Sequence, residues 1–304
     1  MFAAPPVIET RLVARLGPEM RVTGRTSGRY ANRPFYLEGP AMARDGMLYF
    51  TDVPWGRIFR MTPDGIISLF FEYEGEPNGM KFHKDGRLFI ADYSRGILWL
   101  DLASKRLEPY FERINNERLR GPNDLVFARN GDLYFTDQGN SDILRPHGRV
   151  VRVRADGGSE ILASGIPSPN GIALSPDEQW LYVAVTRTNA VWKLPLEVPP
   201  GLVPNEPVGT SGVFVQMSGG TGPDGMAVDR EGNLIVAHTG LGCAWMFTPT
   251  GVPLFRIQGC AGPSIANVTF GGPEYRTLFI VESATGSVLA VDLPHPGELL
   301  FSHM

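Results

Sequence analysis

One short pattern occurs six times along the chain and restricts its fold more than any other feature. Each copy is a turn rich in glycine or proline that carries one Glu, Asn or Asp. About ten residues later an apolar strand opens on leucine. The six polar residues are Glu38, Asn78, Asn123, Asn170, Asp224 and Asn267. The six leucines are Leu48, Leu88, Leu133, Leu181, Leu234 and Leu278. Six copies in register indicate an internal structural repeat.

The spacing of these copies predicts a β-propeller. Successive leucines are 40, 45, 48, 53 and 44 residues apart. Repeats of about 40–50 residues, rich in strands and turns, are typical of propeller blades with four strands each. The hydrophobic content of 43% suffices for the packed core of such a fold. We therefore predict an all-β protein in which residues 1–304 form a single six-bladed β-propeller domain.

The two ends of the chain indicate how the ring of blades closes. The last repeat ends at residues 287–293 and is followed by Pro294, which leaves its outermost strand without a segment. Residues 7–16 have strand character, so we predict that this N-terminal strand completes the last blade and removes an exposed edge. Residues 17–37 then form an insertion rich in arginine and aromatic residues. This insertion is either a surface loop or a lid over the channel mouth.

Charge and hydropathy narrow the range of partners. The net charge is −4, and no long basic run occurs, which argues against nucleic acid or an anionic membrane surface. No segment approaches the roughly 18 apolar residues of a membrane span. The N-terminus also lacks the regions of a secretory signal. We therefore expect a cytoplasmic protein without a nucleic-acid or membrane partner. Our further expectation is a small-molecule substrate and a monomer or a small homo-oligomer. Cys243 and Cys260 lack metal-site spacing and are expected to be reduced thiols.

The six polar residues of the repeats predict a metal site. In a propeller the first strand of every blade lines the central channel, so equivalent residues form a ring at one level. Buried carboxylates are costly without partners, and amide oxygens offer them no donors, whereas a divalent cation satisfies both. All-oxygen ligands favour Ca²⁺ or Mg²⁺ and admit Mn²⁺. The alternative is that these residues only fill turn positions, which explains Asn78 and Asn267 well and Glu38 poorly.

Counting outward from the hairpin turns predicts a second ring. The count pairs Asp224 with His238, and other ring residues with the aspartates Asp52, Asp92 and Asp137. Cross-strand partners lie close enough to interact, and we expect these aspartates to bond the backbone of loops. His238 departs from the aspartate pattern. It is either a partly buried histidine with a backbone partner, or a catalytic proton shuttle or substrate contact beside Asp224.

The loops after the second strands are expected on the same face as the polar ring. They carry Trp55, Tyr93 and Arg187, which are candidate substrate-binding residues by position alone. The motifs of serine hydrolases and nucleotide-binding loops do not occur in a supporting context. A serine nucleophile and a nucleotide site are therefore not favoured.

The turn motifs resemble those of the SMP-30/gluconolactonase/luciferin-regenerating-enzyme family of six-bladed propellers. The matching segments are LEGP at 37–40, GPND at 121–124, SPNG at 168–171, GPDGM at 222–226 and NVTFGG at 267–272. The resemblance implies that Glu38, Asn170 and Asp224 hold a catalytic divalent metal, and that Asn123 is a fourth ligand or contacts bound water and substrate. It also implies hydrolysis of a lactone. One departure is that sugar-lactone members commonly carry an arginine where this chain has Gly121.

These observations together predict a metal-dependent lactonase. Asp224 would act as general base towards the attacking water, or as the nucleophile itself. Ca²⁺ is the expected ion, with Mg²⁺, Mn²⁺, Zn²⁺ and Fe²⁺ as alternatives. Two other functions are compatible with the same residues. One is hydrolysis of a phosphotriester or phosphofluoridate, and the other is a non-catalytic propeller whose metal only ties the blades together.

Overall fold

The protein is a six-bladed β-propeller, as the repeats predict. The computed structural model describes residues 4–26, 29–196 and 210–304. Within these residues the strands form six sheets of four or five strands and one two-stranded ribbon. The helical elements among the described residues are short 3₁₀ turns, namely Pro18–Met20, Val53–Trp55, Thr186–Thr188, Pro273–Tyr275 and Phe301–His303.

Each blade is a sheet whose strands follow one another along the chain. Blade one contains β3 (Leu37–Met42), β4 (Leu48–Asp52), β5 (Arg57–Met61) and β6 (Ile67–Glu72). Blade two contains β7 (Pro77–Phe82), β8 (Leu88–Asp92), β9 (Gly96–Leu100) and β10 (Leu107–Phe111). The ribbon of β11 (Arg113–Ile114) and β12 (Glu117–Arg118) comes next. Blade three contains β13 (Pro122–Phe127), β14 (Leu133–Asp137), β15 (Gly148–Val153) and β16 (Ser159–Ile166).

The second half of the ring follows the same order. Blade four contains β17 (Pro169–Leu174), β18 (Trp180–Val185), β19 (Ala190–Pro195) and β20 (Gly212–Gln216). Blade five contains β21 (Gly222–Val228), β22 (Leu234–Thr239), β23 (Cys243–Phe247) and β24 (Pro253–Gln258). Blade six contains β25 (Ile265–Gly271), β26 (Thr277–Glu282) and β27 (Ser287–Asp292). Alternating apolar side chains of neighbouring blades pack between the sheets and form the core.

The N-terminal stretch closes the ring and also reaches a second blade. β2 (Arg11–Arg15) pairs antiparallel with β27, which confirms that an N-terminal strand completes the last blade. β1 (Val7–Glu9) instead pairs in parallel with β24 and becomes a fifth strand of blade five. The change falls at Thr10, whose hydroxyl accepts a hydrogen bond of 3.0 Å from the Cys260 backbone N–H. The single strand expected over residues 7–16 is therefore two short strands that link two blades.

A β-bulge interrupts the first hairpin of every blade next to the polar ring residue. In blade five Met226 pairs with Val236, but beyond the bulge His238 pairs with Pro223. In blade two, likewise, Asp92 pairs with Pro77. The expected pairs of Asp224 with His238 and of the other ring residues with aspartates are therefore wrong by one residue. The count from the turn omitted the extra residue that each bulge inserts, and a shift of one residue turns the side chain to the other face.

The C-terminal tail covers the ends of the first strands that lie away from the polar ring. Phe301 stacks on Phe127 at 5.6 Å between ring centroids and meets His83 edge-on at 4.9 Å. The Glu298 backbone N–H donates to the Val228 carbonyl at 2.9 Å. One end of the channel is thus packed by the chain itself, while the polar residues lie towards the other end.

Candidate active site

The six polar residues of the repeats lie on the first strands of the six blades and form what we call the inner ring. Its members, between 2 and 8% exposed, are Glu38, Asn78, Asn123, Asn170, Asp224 and Asn267. Bulges next to catalytic sites re-aim side chains, and here one lies beside each member of the ring. The repeat therefore brings together six oxygen-bearing side chains from distant parts of the sequence.

Four hydroxyl groups, each within a second strand or directly after one, help to hold the first strand of the next blade in place. Each donates to a backbone carbonyl at or beside an inner-ring residue. These bonds are Thr51 to Asn78 O at 3.0 Å, Thr136 to Asn170 O at 2.6 Å, Thr186 to Pro223 O at 2.8 Å and Ser283 to Leu37 O at 2.5 Å. The backbone of the ring is thus fixed by neighbouring blades before any ligand binds.

Glu38 is held by two hydrogen bonds inside the channel. Its Oε2 accepts from Asn267 Nδ2 at 3.1 Å and from its neighbour's backbone, Gly39 N–H, also at 3.1 Å. Burial raises the pKa of Glu38 to about 7, and these two hydrogen bonds oppose the rise. Because the Asn267 amide donates to Glu38 and its oxygen accepts from Val268 N–H at 2.8 Å, Asn267 supports the carboxylate.

Asp224 is the second carboxylate of the inner ring and interacts electrostatically with Glu38. Burial raises the pKa of Asp224 well above its usual range, and the charges of Glu38 and Asp124 raise it further. The Arg29 guanidinium and the Asn170 amide lower it. Two carboxyls in one desolvated space disfavour each other's ionisation, and a bound cation would remove that penalty. Among the described residues no Lys, Arg or His forms a salt bridge with either of them.

The amides of the inner ring leave oxygen atoms for a ligand. Asn170 donates its amide N–H to Thr186 Oγ1 at 3.1 Å, and Asn123 donates to Gln138 Oε1 at 3.3 Å. The buried Asn78 Oδ1 has no hydrogen-bond partner in the part of the chain that the structure describes, which is costly unless a ligand supplies one. Two carboxylates, two anchored amides and one unpartnered amide oxygen fit a hard divalent cation.

The described residues contain no cluster of three or more His, Cys, Asp or Glu side chains that could hold a metal ion. An ion in the channel would therefore depend on the asparagine oxygens as well as on Glu38 and Asp224. This donor set suits Ca²⁺ or Mg²⁺ better than the softer ions that prefer His and Cys.

A second set of buried groups, which we call the anchors, ends the second strands behind the inner ring. They bond the loop that leads into each first strand, as expected for Asp52, Asp92 and Asp137. Asp137 accepts from the backbone N–H groups of Arg120 at 2.7 Å and Gly121 at 2.8 Å, and from Arg149 Nε at 2.7 Å. The anchors therefore fix the loops from which the inner-ring residues project.

The other two aspartate anchors use the same kind of contact. Asp52 accepts from Tyr36 N–H at 2.7 Å and from Arg57 Nε at 2.9 Å. Burial raises the pKa of Asp52 to about 6, and the Arg57 charge opposes the rise. Asp92 accepts from the backbone of Glu76 at 2.9 Å.

His238 occupies the anchor position of blade five and has a partner for each ring nitrogen. Its Nδ1 accepts from Trp245 Nε1 at 3.2 Å, and its Nε2 lies 3.0 Å from the Gly219 carbonyl oxygen. A proton on Nε2 satisfies both contacts, so the ring is neutral and donates to Gly219. Burial lowers its pKa, and the bond to Gly219 opposes this. Neither ring nitrogen forms a hydrogen bond with Asp224. The catalytic role of His238 therefore stays a prediction.

The three substrate-binding candidates all follow second strands, but their contacts differ. Trp55 ends a 3₁₀ turn after β4, and its buried Nε1 has no hydrogen-bond partner. Tyr93 follows β8 and donates its hydroxyl to Asn140 Oδ1 at 2.8 Å. Arg187 lies in the 3₁₀ turn after β18 and is exposed. Trp55 and Tyr93 contact arginines of the N-terminal insertion, which the sequence did not reveal.

The described parts of this insertion contact three blades on the face of the inner ring. Arg25 forms a salt bridge with Glu76 at 3.3 Å and lies over the Trp55 ring at 5.8 Å. Arg29 Nη2 donates to Gln138 Oε1 at 3.2 Å. Burial raises the pKa of Tyr30, and the charges of Glu38 and Asp224 add to the rise. Sequence reasoning missed Arg29, since nothing in the repeats predicts where the insertion crosses.

A third carboxyl, Asp124, also lies in the channel and was not among the predicted site residues. It is 1% exposed, and its Oδ1 lies 3.9 Å from Lys81 Nζ. Burial raises the pKa of Asp124, and the Lys81 charge lowers it. The motif GPND contains this aspartate directly after Asn123, which is the only sequence signal for it.

Fold and site together define a six-bladed propeller with an oxygen-lined site at one end of its channel. A family model described as the SMP-30/Gluconolactonase/LRE-like region matches residues 37–284, and the chain belongs to this family. The resemblance drawn from the turn motifs is confirmed.

Known relatives support the same assignment. The chain is 33% identical over 284 residues to a gluconolactonase from Zymomonas mobilis, covering 84% of this chain and 78% of that protein. It is 32% identical over 264 residues to the lactonase drp35 of Staphylococcus epidermidis, covering 84% and 77%. Among solved structures, the calcium-binding protein regucalcin from Agrobacterium tumefaciens superposes with a TM-score of 0.75 at 20% identity, covering 97% and 99%. This last likeness concerns the fold. No described helix is long and apolar enough to cross a membrane.

Proposed function

We propose that this chain is a lactonase that depends on a divalent metal held by Glu38, Asn123, Asn170 and Asp224. The lactonase class follows from membership of the family and from relatives named gluconolactonase and lactonase. A small-molecule lactone is accordingly the substrate. The metal and the role of Asp224 are the parts of the proposal that rest on the site itself.

The pairing of two buried carboxyls without a salt-bridge partner carries the proposal. Glu38 and Asp224 are 3 and 4% exposed, burial raises the pKa of both, and the charge of Glu38 raises the pKa of Asp224 further. A purely structural pair would be cheaper as amides, because isolated buried charge costs far more than a hydrogen-bonded neutral group. The pair lies at the channel end opposite the C-terminal tail, which supports a role in binding and chemistry.

The chemistry divides between a cation and the side chains around it. When bound, a divalent cation supplies positive charge that polarises an ester carbonyl and favours the developing oxyanion. Asp224 accepts the proton of the attacking water at a carboxylate oxygen, and the proton passes to the ring oxygen as the C–O bond of the ester breaks. In the alternative route Asp224 attacks the carbonyl carbon, the ring oxygen leaves and takes up a proton from water, and water then hydrolyses the resulting anhydride. Glu38 stays oriented through Asn267 and Gly39, and Gln138 orients Asn123. Trp55 and Tyr93 line the proposed substrate pocket, and Arg187 lies at its exposed edge.

Ca²⁺ is the ion we propose first. The candidate ligands are all oxygen atoms, from carboxylates and amides, and Ca²⁺ accepts such mixed sets at six to eight positions. Mg²⁺ requires a stricter octahedron, and Zn²⁺ or Fe²⁺ usually take His or Cys ligands that the inner ring lacks.

A panel of lactones tests this function directly. The purified protein is assayed with a pH indicator on sugar lactones, γ-lactones, aryl esters and a phosphotriester, before and after chelation. We expect lactone hydrolysis that chelation abolishes and that added Ca²⁺ or another divalent ion restores. Full activity in the chelated protein would contradict the metal, and turnover of the phosphotriester alone would contradict the lactonase.

A further inference from the structure

Arg29 is the cationic residue whose charge lowers the pKa of Asp224 in the inner ring. Among the described residues, no carboxylate lies within salt-bridge distance of Arg29. Its guanidinium lies over the Tyr93 ring at 4.9 Å and over the Tyr30 ring at 5.4 Å, and it donates to the neutral Gln138. Tyrosine faces and an amide oxygen hold an arginine in place without cancelling its charge. Arg29 is exposed as a whole residue, although neighbouring groups surround much of its guanidinium, so a ligand reaches it on the part that these groups leave open.

Gly121 occupies the position where sugar-lactone members of the family commonly carry an arginine. The surroundings of Gly121 leave no room for that side chain, and the N-terminal insertion provides Arg29 nearby instead. A Cβ at Gly121 would lie 2.6 Å from Tyr93 Cε2, and the residue has a φ of +142°. A side chain at this position would be both strained and blocked by the Tyr93 ring. Tyr93 therefore occupies the space next to Gly121, and the Arg29 guanidinium lies over that same ring.

When a divalent cation is bound, the positive charges of the site exceed the negative charges of its carboxylates by one. Glu38 and Asp224 neutralise the cation, and Lys81 faces Asp124 at 3.9 Å. On the rim, Arg25 pairs with Glu76 at 3.3 Å. Among the described residues Arg29 has no carboxylate at salt-bridge distance, and its charge acts on Asp224 only from farther away. A neutral lactone would leave the charge of Arg29 unpaired, whereas a carboxylate on the substrate would pair with it through charge-assisted hydrogen bonds.

We propose that Arg29 binds a carboxylate carried by the substrate, so that this enzyme prefers anionic lactones to neutral ones. The inference rests on the proposed lactonase function and narrows its substrate class. Gln138 links the arginine to the inner ring, because its Oε1 accepts from both Arg29 at 3.2 Å and Asn123 at 3.3 Å. Arg29 thereby has a defined position relative to a proposed metal ligand.

Two matched substrates test the preference. One is a γ-butyrolactone that carries a carboxylate on the carbon next to the ring oxygen, and the other carries a carboxamide there. They share shape and differ in charge. The wild-type enzyme should have a kcat/KM at least about tenfold higher for the carboxylate ring, as expected for a hydrogen-bonded charge. Arg29→Gln should raise KM for the carboxylate ring by about 10–100-fold and should affect the carboxamide ring much less.

Two further variants separate charge from position. Arg29→Lys keeps the charge and should keep part of the preference. Arg25→Gln is the matched control, because Arg25 lies on the same insertion and stacks on an aromatic ring but is already paired with Glu76. It should keep the wild-type ratio between the two rings. A preference that survives Arg29→Gln, or that Arg25→Gln removes equally, would overturn the proposal.

The result also distinguishes this inference from the proposed function. If the wild-type enzyme opens neutral lactones without preferring the carboxylate ring, the role of Arg29 is wrong and the lactonase stands. If it opens no lactone, calorimetric titration with the ring-opened hydroxy dicarboxylate still measures the anion site. Binding at least about tenfold weaker in Arg29→Gln would then support the site, and equal binding would refute it.

Discussion

The inner ring and the anchors behind it both contain buried acidic groups, yet their surroundings are opposite. Asp137 is an anchor with 0% exposure, and it meets Arg149 Nε at 2.7 Å and two backbone N–H groups. Asp224 and Glu38 in the inner ring are nearly as buried, but no cation pairs with either within salt-bridge distance among the described residues. Burial alone therefore does not distinguish the two sets, whereas their partners do.

This difference distinguishes carboxylates that stabilise the propeller from carboxylates that are available for binding and chemistry. A carboxylate whose oxygens are all used by arginine and backbone groups stabilises the loop that it binds, and has no capacity left for a ligand. A buried carboxylate without such partners costs stability in the free protein, which is typical of a site that a ligand completes. The anchor of blade five shows that the structural position tolerates other chemistry, because His238 bonds a loop carbonyl there.

The largest expected effect comes from Asp224→Asn, which keeps an oxygen ligand in the inner ring and removes the base. Turnover of the best lactone should fall by about 10²–10⁴-fold in saturating Ca²⁺, the usual size of a general-base contribution. Thermal stability should stay the same or rise, because a repulsion with Glu38 disappears. Kinetics and a melting curve on the same sample measure both. A wild-type rate in this variant would refute the role of Asp224.

Asp137→Asn should give the opposite result at an anchor. The change leaves the Arg149 guanidinium, 3% exposed, without its buried partner. Removing one member of a buried pair costs about 3–5 kcal/mol of unfolding free energy. Denaturant unfolding measures this loss, and the folded fraction should retain catalysis within a few-fold. If Asp137→Asn lost turnover but not stability, the division between anchors and inner ring would be wrong.

Glu38→Gln should weaken metal binding more than it alters the fold. The amide keeps the shape and the contact with Gly39 or Asn267, but a bound divalent cation loses one neutralising charge. We expect at least a tenfold weaker affinity, roughly 1.4 kcal/mol. Calcium titration by calorimetry gives the affinity, and elemental analysis gives retention. Full metal occupancy in this variant after dialysis would show that Glu38 is not an important ligand.

The smallest effect is expected for His238→Gln. Glutamine can still donate to the Gly219 carbonyl, so the loss should be about 1 kcal/mol of stability. The folded pKa of His238 is lowered, so its stabilising contribution is full above the unfolded value of about 6.5 and is lost as the pH falls towards the folded value. The variant should lack this part of the acid destabilisation. If instead the pH profile of turnover shifted and stability did not, His238 would have a catalytic role.

The sequence alone determined the number of blades and the members of the inner ring. Both follow from a local pattern, since a turn with one polar residue and a leucine strand recur at a period near that of a blade. It also carried the motifs of the family, from LEGP at residues 37–40 to NVTFGG at 267–272. A local repeat can be recognised without knowledge of the tertiary structure, because each copy forms one hairpin. The symmetry of the ring then places equivalent residues of all copies at one level of the channel.

Only the tertiary structure decided how the members of the ring differ and what surrounds them. The one-residue bulges moved His238 opposite Pro223, and the N-terminal strand divided between blades five and six. Asn267 became the support of Glu38, 229 positions away in the chain, and Arg29 came to lie on Tyr93. These contacts join residues far apart in sequence, and their energies depend on close packing between blades. A pattern within one repeat contains no information about them.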